Sequence, residues 1–296
     1  MPGSPLFRSI ACLIYFGAVA ISGSLCAALE DLSVLNAHGV GLGGAVLTLG
    51  NDGNAVVGNP ALLATQPLFT LGVTSHLEGV ELASESIFSA TLQGVVPLGA
   101  VGGIGLAMTS VLNTMAEGGV PRILFADHQV NLGYGLSIAK VFQVGASLHA
   151  RGVYVDPHLS GLGDIQNPLE LNATAGLFLA PIPYVAFALV VSRFFSSPGV
   201  HLAAGTRNPL FLGEVGLEYL FLEKQFGLAM GVEKYFLNNI LRVSLGMRIS
   251  GASPDVCPGA GIGLRLGRFT VDYAFFYPVS GVLKAGSHIA TVGVQL

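Results

Sequence analysis

The sequence predicts an all-β fold, a transmembrane antiparallel β-barrel of about 14 strands. Three observations lead to it. Apolar residues alternate with small or polar ones along most of the chain. Charged residues make up 10% and mean hydropathy is +0.68, whereas an ordinary soluble domain is roughly a quarter charged. And no apolar run reaches the roughly 20 residues of a spanning helix.

The alternation is strict in several places. Leu241, Val243, Leu245, Met247 and Ile249 alternate with Arg242, Ser244, Gly246 and Arg248. Val130, Leu132, Tyr134, Leu136 and Ile138 alternate with Asn131, Gly133, Gly135 and Ser137, and residues 142–151 and 262–267 behave alike. A period of two marks a strand with one apolar face and one small or polar face. Leu245 is thus expected to face lipid, and Ser244 the lumen.

Thirteen strands follow, near 69–77, 86–97, 101–111, 129–140, 142–155, 170–180, 183–194, 211–222, 225–236, 239–250, 259–266, 268–277 and 287–296. A barrel of this kind has an even number, which places one more near 200–206. Pro97-Leu98-Gly99-Ala100, Ala180-Pro181-Ile182-Pro183 and Asn238-Asn239 read as hairpin turns. The stretches 112–128, 156–169 and 278–286 read as loops at the opposite end. Tyr219, Phe221, Tyr273, Phe275 and Tyr277 suit an interfacial girdle.

Two other architectures fit less well. The best apolar run, Leu177 to Val191, contains Pro181 and Pro183, which a spanning helix would have to absorb. A soluble sandwich would bury these apolar faces against each other, and thirteen long strands with so little charge do not suit it.

The start reads as an export signal over 1–28. Arg8 supplies positive charge, Ile10 to Ile21 is apolar, and Cys26-Ala27-Ala28 offers small residues for cleavage. Residues 29–68 then form a Gly-, Asn- and Ala-rich segment, and 69–296 the barrel. The last strand, His288 to Leu296, has apolar residues at alternate positions and is expected to engage barrel-assembly machinery. Leu296 stands where such strands mostly end in Phe. With Cys12 and Cys26 removed, Cys257 is left alone, so no intrachain disulfide is expected.

Residues 36–66 contain Gly41-Leu42-Gly43-Gly44-Ala45, then Asn51-Asp52, then Asn59-Pro60-Ala61-Leu62-Leu63. Taken alone, Asn59-Pro60-Ala61 reads as a turn leading into a short helix, with Asn59 as cap and Pro60 at the first position. Gly39, Gly41 and Gly44 meet dinucleotide-binding spacing, but that motif needs a preceding strand and a following helix, and the flanking residues here predict neither. About thirty residues of this segment resemble the N-terminal hatch of FadL-type outer-membrane transporters of long-chain fatty acids, and of their PorV-like relatives. The resemblance implies a 14-stranded barrel with Asn59, Pro60 and Ala61 in a plug inside the lumen.

Chemistry is absent from the motifs. No zinc-protease, nucleophile-elbow or phosphate-loop pattern occurs, and the seven histidines are scattered. No enzyme activity, cofactor or metal is expected. A net charge of −4 without a basic patch argues against nucleic acid as a partner. Arg151, Glu218, Glu233, Arg242, Arg248, Arg265 and Asp272 fall on lumen-facing positions, where pairing across strands would brace the wall. The sparse charge suggests a lumen less polar than a porin's. The expected function is passage of hydrophobic small molecules such as fatty acids across the bacterial outer membrane, among outer-membrane lipid. The resemblance leaves a second possibility, a PorV-like interaction or secretion partner.

Overall fold

The computed structural model describes residues 35–50, 52–78, 85–117, 120–155, 169–208, 211–250, 255–277, 279 and 286–296. The expected signal, and the Asp156-Pro157-His158 stretch, lie outside them.

The architecture is a closed antiparallel barrel of fourteen strands. They are β1 (Thr70–Glu78), β2 (Glu85–Pro97), β3 (Gly103–Glu117), β4 (Val120–Ala139), β5 (Phe142–Val155), β6 (Glu170–Ile182), β7 (Val185–Ser192), β8 (Gly199–Asn208), β9 (Phe211–Leu220), β10 (Gln225–Phe236), β11 (Leu241–Ser250), β12 (Asp255–Leu266), β13 (Phe269–Phe276) and β14 (Ser287–Gln295). Each pairs with its sequence neighbours. The ring closes where β1 meets β14, from Thr70 opposite Gln295 to Glu78 opposite Ser287. Closure removes the sheet edge, and in lipid an unpaired edge has no water to satisfy it. Among the described residues no helix is long and apolar enough to cross a membrane.

The fourteenth strand is β8, at the place parity required. Most of the expected loop at 112–128 is instead strand: β3 and β4 stay paired out to Glu117 opposite Val120, with one register shift at Asn113/Thr114. The polar and small residues there weaken the period-two signal without ending the ladder. Short turns join strands at the end of the barrel where β1 begins and β14 ends. Between β10 and β11, Leu237, Asn238 and Asn239 all take positive φ, a conformation Asn tolerates better than most residues. Most of 156–169 and 278–286, at the other end, falls outside the described residues.

The outward face is apolar around the ring. Leu132, Leu217 and Leu245 are 54%, 56% and 57% exposed, while their neighbours Asn131 and Ser244 are buried. A soluble protein rarely exposes contiguous apolar area beyond a few hundred Å², so this belt is a lipid-facing surface and the protein is a membrane β-barrel. Aromatic residues mark both rims. Tyr219, Phe221 and Phe226 pack together at the loop end. Tyr184, Phe211, Phe236 and Phe269 are exposed at the turn end.

Candidate functional site

Residues 35–50 and 52–66 sit inside the closed sheet. The segment forms helix α1 (Ala37–Gly41), a turn through Gly43 and Gly44, helix α2 (Asn54–Val57), and a 3-10 helix over Pro60–Thr65. The run Leu42 to Leu49 is turns, not wall strand. Leu42, Ala45, Ala55, Val56, Ala61, Leu62 and Leu63 have no exposed surface at all.

The wall admits this segment because it presents glycine. A Cβ at Gly135 would stand 2.6 Å from Pro60 O and 2.7 Å from Ala64 N. One at Gly145 would strike the backbone of Pro60 and Ala61, and one at Gly176 the Asn59 side chain. These glycines, on β4, β5 and β6, form one dock, filled by the 3-10 helix. A second dock lies on β10 to β12. There Gly231 faces Leu42 O at 2.6 Å, Gly259 faces Val40 O at 2.8 Å, and Gly246 abuts Leu42 and Gly43. The period-two glycines are therefore sockets for the inner segment.

Asn59, Pro60 and Ala61 come together at the first dock. Asn59 Oδ1 accepts from Ala61 N at 3.1 Å and so caps the helix, with Pro60 in its first turn. Its Nδ2 donates to Leu47 O at 2.9 Å and to Leu177 O on β6 at 3.3 Å. Asn59 thus ties the helix both to the rest of the segment and to the wall. The dinucleotide-like glycines lie on and just after α1: Gly39 packs against the Asn54 side chain, Gly41 against Ser244 and Gly261 of the wall, and Gly44 borders the upper cavity.

Buried polar groups fasten the remainder. Glu214 on β9 accepts from Leu47 N (2.9 Å), Thr48 N (2.5 Å), Thr48 Oγ1 (2.6 Å) and Leu49 N (3.2 Å). Arg207 on β8 donates to Thr48 O at 2.6 Å. At the segment's start, Ala37 N donates to Thr291 Oγ1 on β14 at 2.9 Å, and Asn36 Nδ2 to Gln93 Oε1 on β2 at 3.3 Å.

His38 on α1 lies between two carboxylates. Its Nδ1 is 2.9 Å from Asp52 Oδ2, and its Nε2 is 2.7 Å from Glu233 Oε2 on β10. An imidazolium donates from both nitrogens, so the geometry suits the charged form. Burial and the nearby Arg242 guanidinium oppose that charge. Glu233 and Asp52 outweigh them and hold the His38 pKa up at about 9. Burial likewise opposes charge on Asp52, but His38 and the Asn54 N–H keep its carboxyl down at about 2. Glu233 also accepts from Tyr235 Oη at 3.2 Å.

The inward charges pair across strands as bracing requires: Arg151 with Asp127 at 2.7 Å, Arg242 with Asp272 at 2.7 Å, and Arg248 with Glu218 at 3.0 Å. Arg265 lines the lumen near the turn end. Sequence reasoning found Glu233 and Arg242 by their parity. It missed His38, their partner, because nothing local marks that residue. Glu214 could have been found as an acid on an inward position between Gly213 and Gly216.

Two cavities flank the inner segment. The upper one, about 260 Å³ on the loop side, has an apolar floor of Leu35, Val46, Leu47 and Val57. Its walls carry Asp127, His149, Arg151, His201, Glu218 and Arg248. The few charges of the wall thus line the cavities, on the inward positions that strand parity gives them. The lower cavity, about 100 Å³ on the turn side, is lined by Asn36, Asp52, Tyr235, Arg242, Arg265 and Asp272 among others. Among the described residues no group of His, Cys, Asp and Glu is placed to hold a metal ion.

No family model matches the chain, and no curated protein matches it. Solved structures do. The toluene transporter TbuX of Ralstonia pickettii superposes with a TM-score of 0.65 at 12% identity, covering 90% of this chain and 99% of that one. The toluene transporter TodX of Pseudomonas putida gives 0.62 at 11% identity, over 90% and 97%. A FadL homologue of Pseudomonas aeruginosa gives 0.61 at 11% identity, over 88% and 95%. The fold is that of the FadL-type barrel. This chain spans almost the whole of each of those structures, at an identity that speaks for the fold alone.

Proposed function

We propose that the protein is an outer-membrane channel for hydrophobic small molecules, with residues 35–66 as its hatch. The observation that carries this is the upper cavity, whose apolar floor is made by the hatch itself. A ligand resting on Val46, Leu47 and Val57 touches the element that must move for it to pass. The barrel blocks passage with a segment held by hydrogen bonds and close packing, which is what a gated path for scarce apolar solutes needs. Structures of like fold are described as toluene transporters, as monoaromatic hydrocarbon channels and as a FadL homologue, which supports an apolar cargo. Fatty acids are one candidate cargo and monoaromatic hydrocarbons another. A role as a PorV-like interaction partner has less support, since such a protein has no need of a cavity floored by its own hatch. The reading assigns passage rather than catalysis, and delivery by signal sequence and barrel-assembly machinery.

The test is uptake. Purified barrel in liposomes should speed entry of a fluorescent fatty acid or of toluene to an internal sensor, and the folded form should resist SDS until boiled. Entry rates equal to those of empty liposomes for both cargo classes would remove the channel reading.

A further inference from the structure

Along β10 and β11 the two cavities are separated by one short strap. Ala229 and Arg248 face the upper cavity, and Tyr235 and Arg242 the lower. Between them the inward positions are Gly231 and Glu233 on β10, and Gly246 and Ser244 opposite them on β11. The hatch residues that meet these four positions come from His38–Ala45, beside the wall's own Tyr235, Arg242 and Gly261. Leu42 and Gly43 cover Gly231 and Gly246, Gly41 lies over Ser244, and His38 meets Glu233.

The strap is fixed at both ends. Asn36 and Ala37 are tied to β2 and β14, and Leu47 to Leu49 to Glu214. Its turn uses Gly43 and Gly44 at φ +64° and +82°, conformations that need no side chain to rearrange. Its hold on β10 and β11 is the buried Leu42 side chain, close backbone contact at Gly231 and Gly246, and the ion bridge from His38 to Glu233. In the opposite half of the hatch Leu62 and Leu63 are fully buried on the β4–β6 dock, and among the described residues the ion bridge to the wall lies on the strap side.

We propose that the strap His38–Ala45 is the gate, that it moves off β10 and β11 to join the upper cavity to the lower, and that the His38–Glu233 bridge is its latch. This rests on the channel reading above. The groups facing His38 are Asp52 from the hatch, Glu233 and Tyr235 from β10, Arg242 from β11 and Asp272 from β13. Glu233 is the group among them that ties the strap directly to the wall. Breaking this bridge frees the strap while Arg242 keeps Asp272, so the wall stays braced.

Glu233→Gln keeps the shape of the side chain and removes its charge. In planar bilayers at neutral pH the open fraction should rise about tenfold or more, the scale of one hydrogen bond to a charged group. His38→Gln leaves the wall untouched and should give the same rise. The two together should give no more than either alone. A tie then locates the path. In the Glu233→Gln chain with Cys257→Ala, the pair Ala45→Cys and Ala229→Cys joins strap to β10. Ala229 packs against the cluster of Leu42, Ala45 and Leu49, and neither change adds a Cβ to a glycine socket. Oxidation should close the channel, and reduction should reopen it. If Glu233→Gln and His38→Gln both stay closed while deletion of 36–66 conducts, the latch is refuted and the channel reading survives. If the oxidised tie leaves the channel open, the path lies elsewhere and the gate is refuted. If the deletion assembles into an SDS-resistant barrel and still does not conduct, the channel reading fails and the gate with it.

Discussion

If His38 is a latch, its proton should set how often the channel opens. With the strap in place His38 titrates at about 9, against an ordinary 6.5. Once the strap swings free, His38 meets water and returns to its ordinary value. The raised value means that the proton favours the closed form. The stabilisation is fully present below 6.5 and is lost as pH rises through 9. One pKa unit is 1.36 kcal/mol, so the full effect is on the order of 3 kcal/mol, or about 300-fold in the open fraction. Between pH 6.5 and 9 the open fraction should climb about tenfold per pH unit, then level off. Asp52 acts in the opposite direction: its carboxyl is held near 2, against 3.8, so its stabilisation of the closed form is lost as pH falls from 3.8 through 2. Opening should therefore be rarest between about pH 4 and 6.5. Single-channel recording from pH 4 to 10 measures this directly. His38→Gln should be flat across the alkaline range, at the level the unaltered protein reaches near pH 10. A flat profile in the unaltered protein, or the same climb in His38→Gln, would refute the argument.

Other perturbations follow from the same contacts. Gly145→Val drives side-chain atoms into the Pro60–Ala61 backbone, an overpacking cost of about 1–3 kcal/mol. Val56, Leu62 and Leu63 hold the hatch with about 1.5–3 kcal/mol each, so this variant alone should flicker. Adding Gly246→Val on the second dock should give sustained conductance from a barrel still resistant to SDS. Leu245→Arg places a charge on the lipid face and should lower folding yield, at a cost of about 2–4 kcal/mol near mid-membrane. Ser244→Arg is expected to fold better but to leak, because Ser244 packs beneath Gly41 and Gly261; equal folding yields for the two would overturn the assigned faces. Deleting 36–66 removes no wall strand, so the barrel should assemble and conduct steadily; failure to assemble would show that the hatch templates the wall.

The wall was legible in the sequence because a membrane strand writes its two faces into alternate residues. Leu241 to Ile249 could be assigned to lipid or lumen by parity alone, and the structure keeps every one of those assignments. β8 was harder to see: in Gly199 to Asn208 the outward positions include Ala204, and the inward ones His201 and Gly205, so contrast between the faces is slight. The loop reading of 112–128 failed for a related reason, since strand pairing continues where the apolar period has faded. The interior was legible only in part. Asn59-Pro60-Ala61 announces a capped turn because capping is local, but His38 meets Glu233 across 195 residues of chain, and no local pattern records such a meeting. The glycines lie between these cases. Their period shows that they face inward, yet what they face is another backbone. A wall of glycine lets the inner chain approach at backbone distance, so that Leu42, Val56, Leu62 and Leu63 are wholly buried inside the barrel, and the few inward charges are left to brace the cavities and hold the strap.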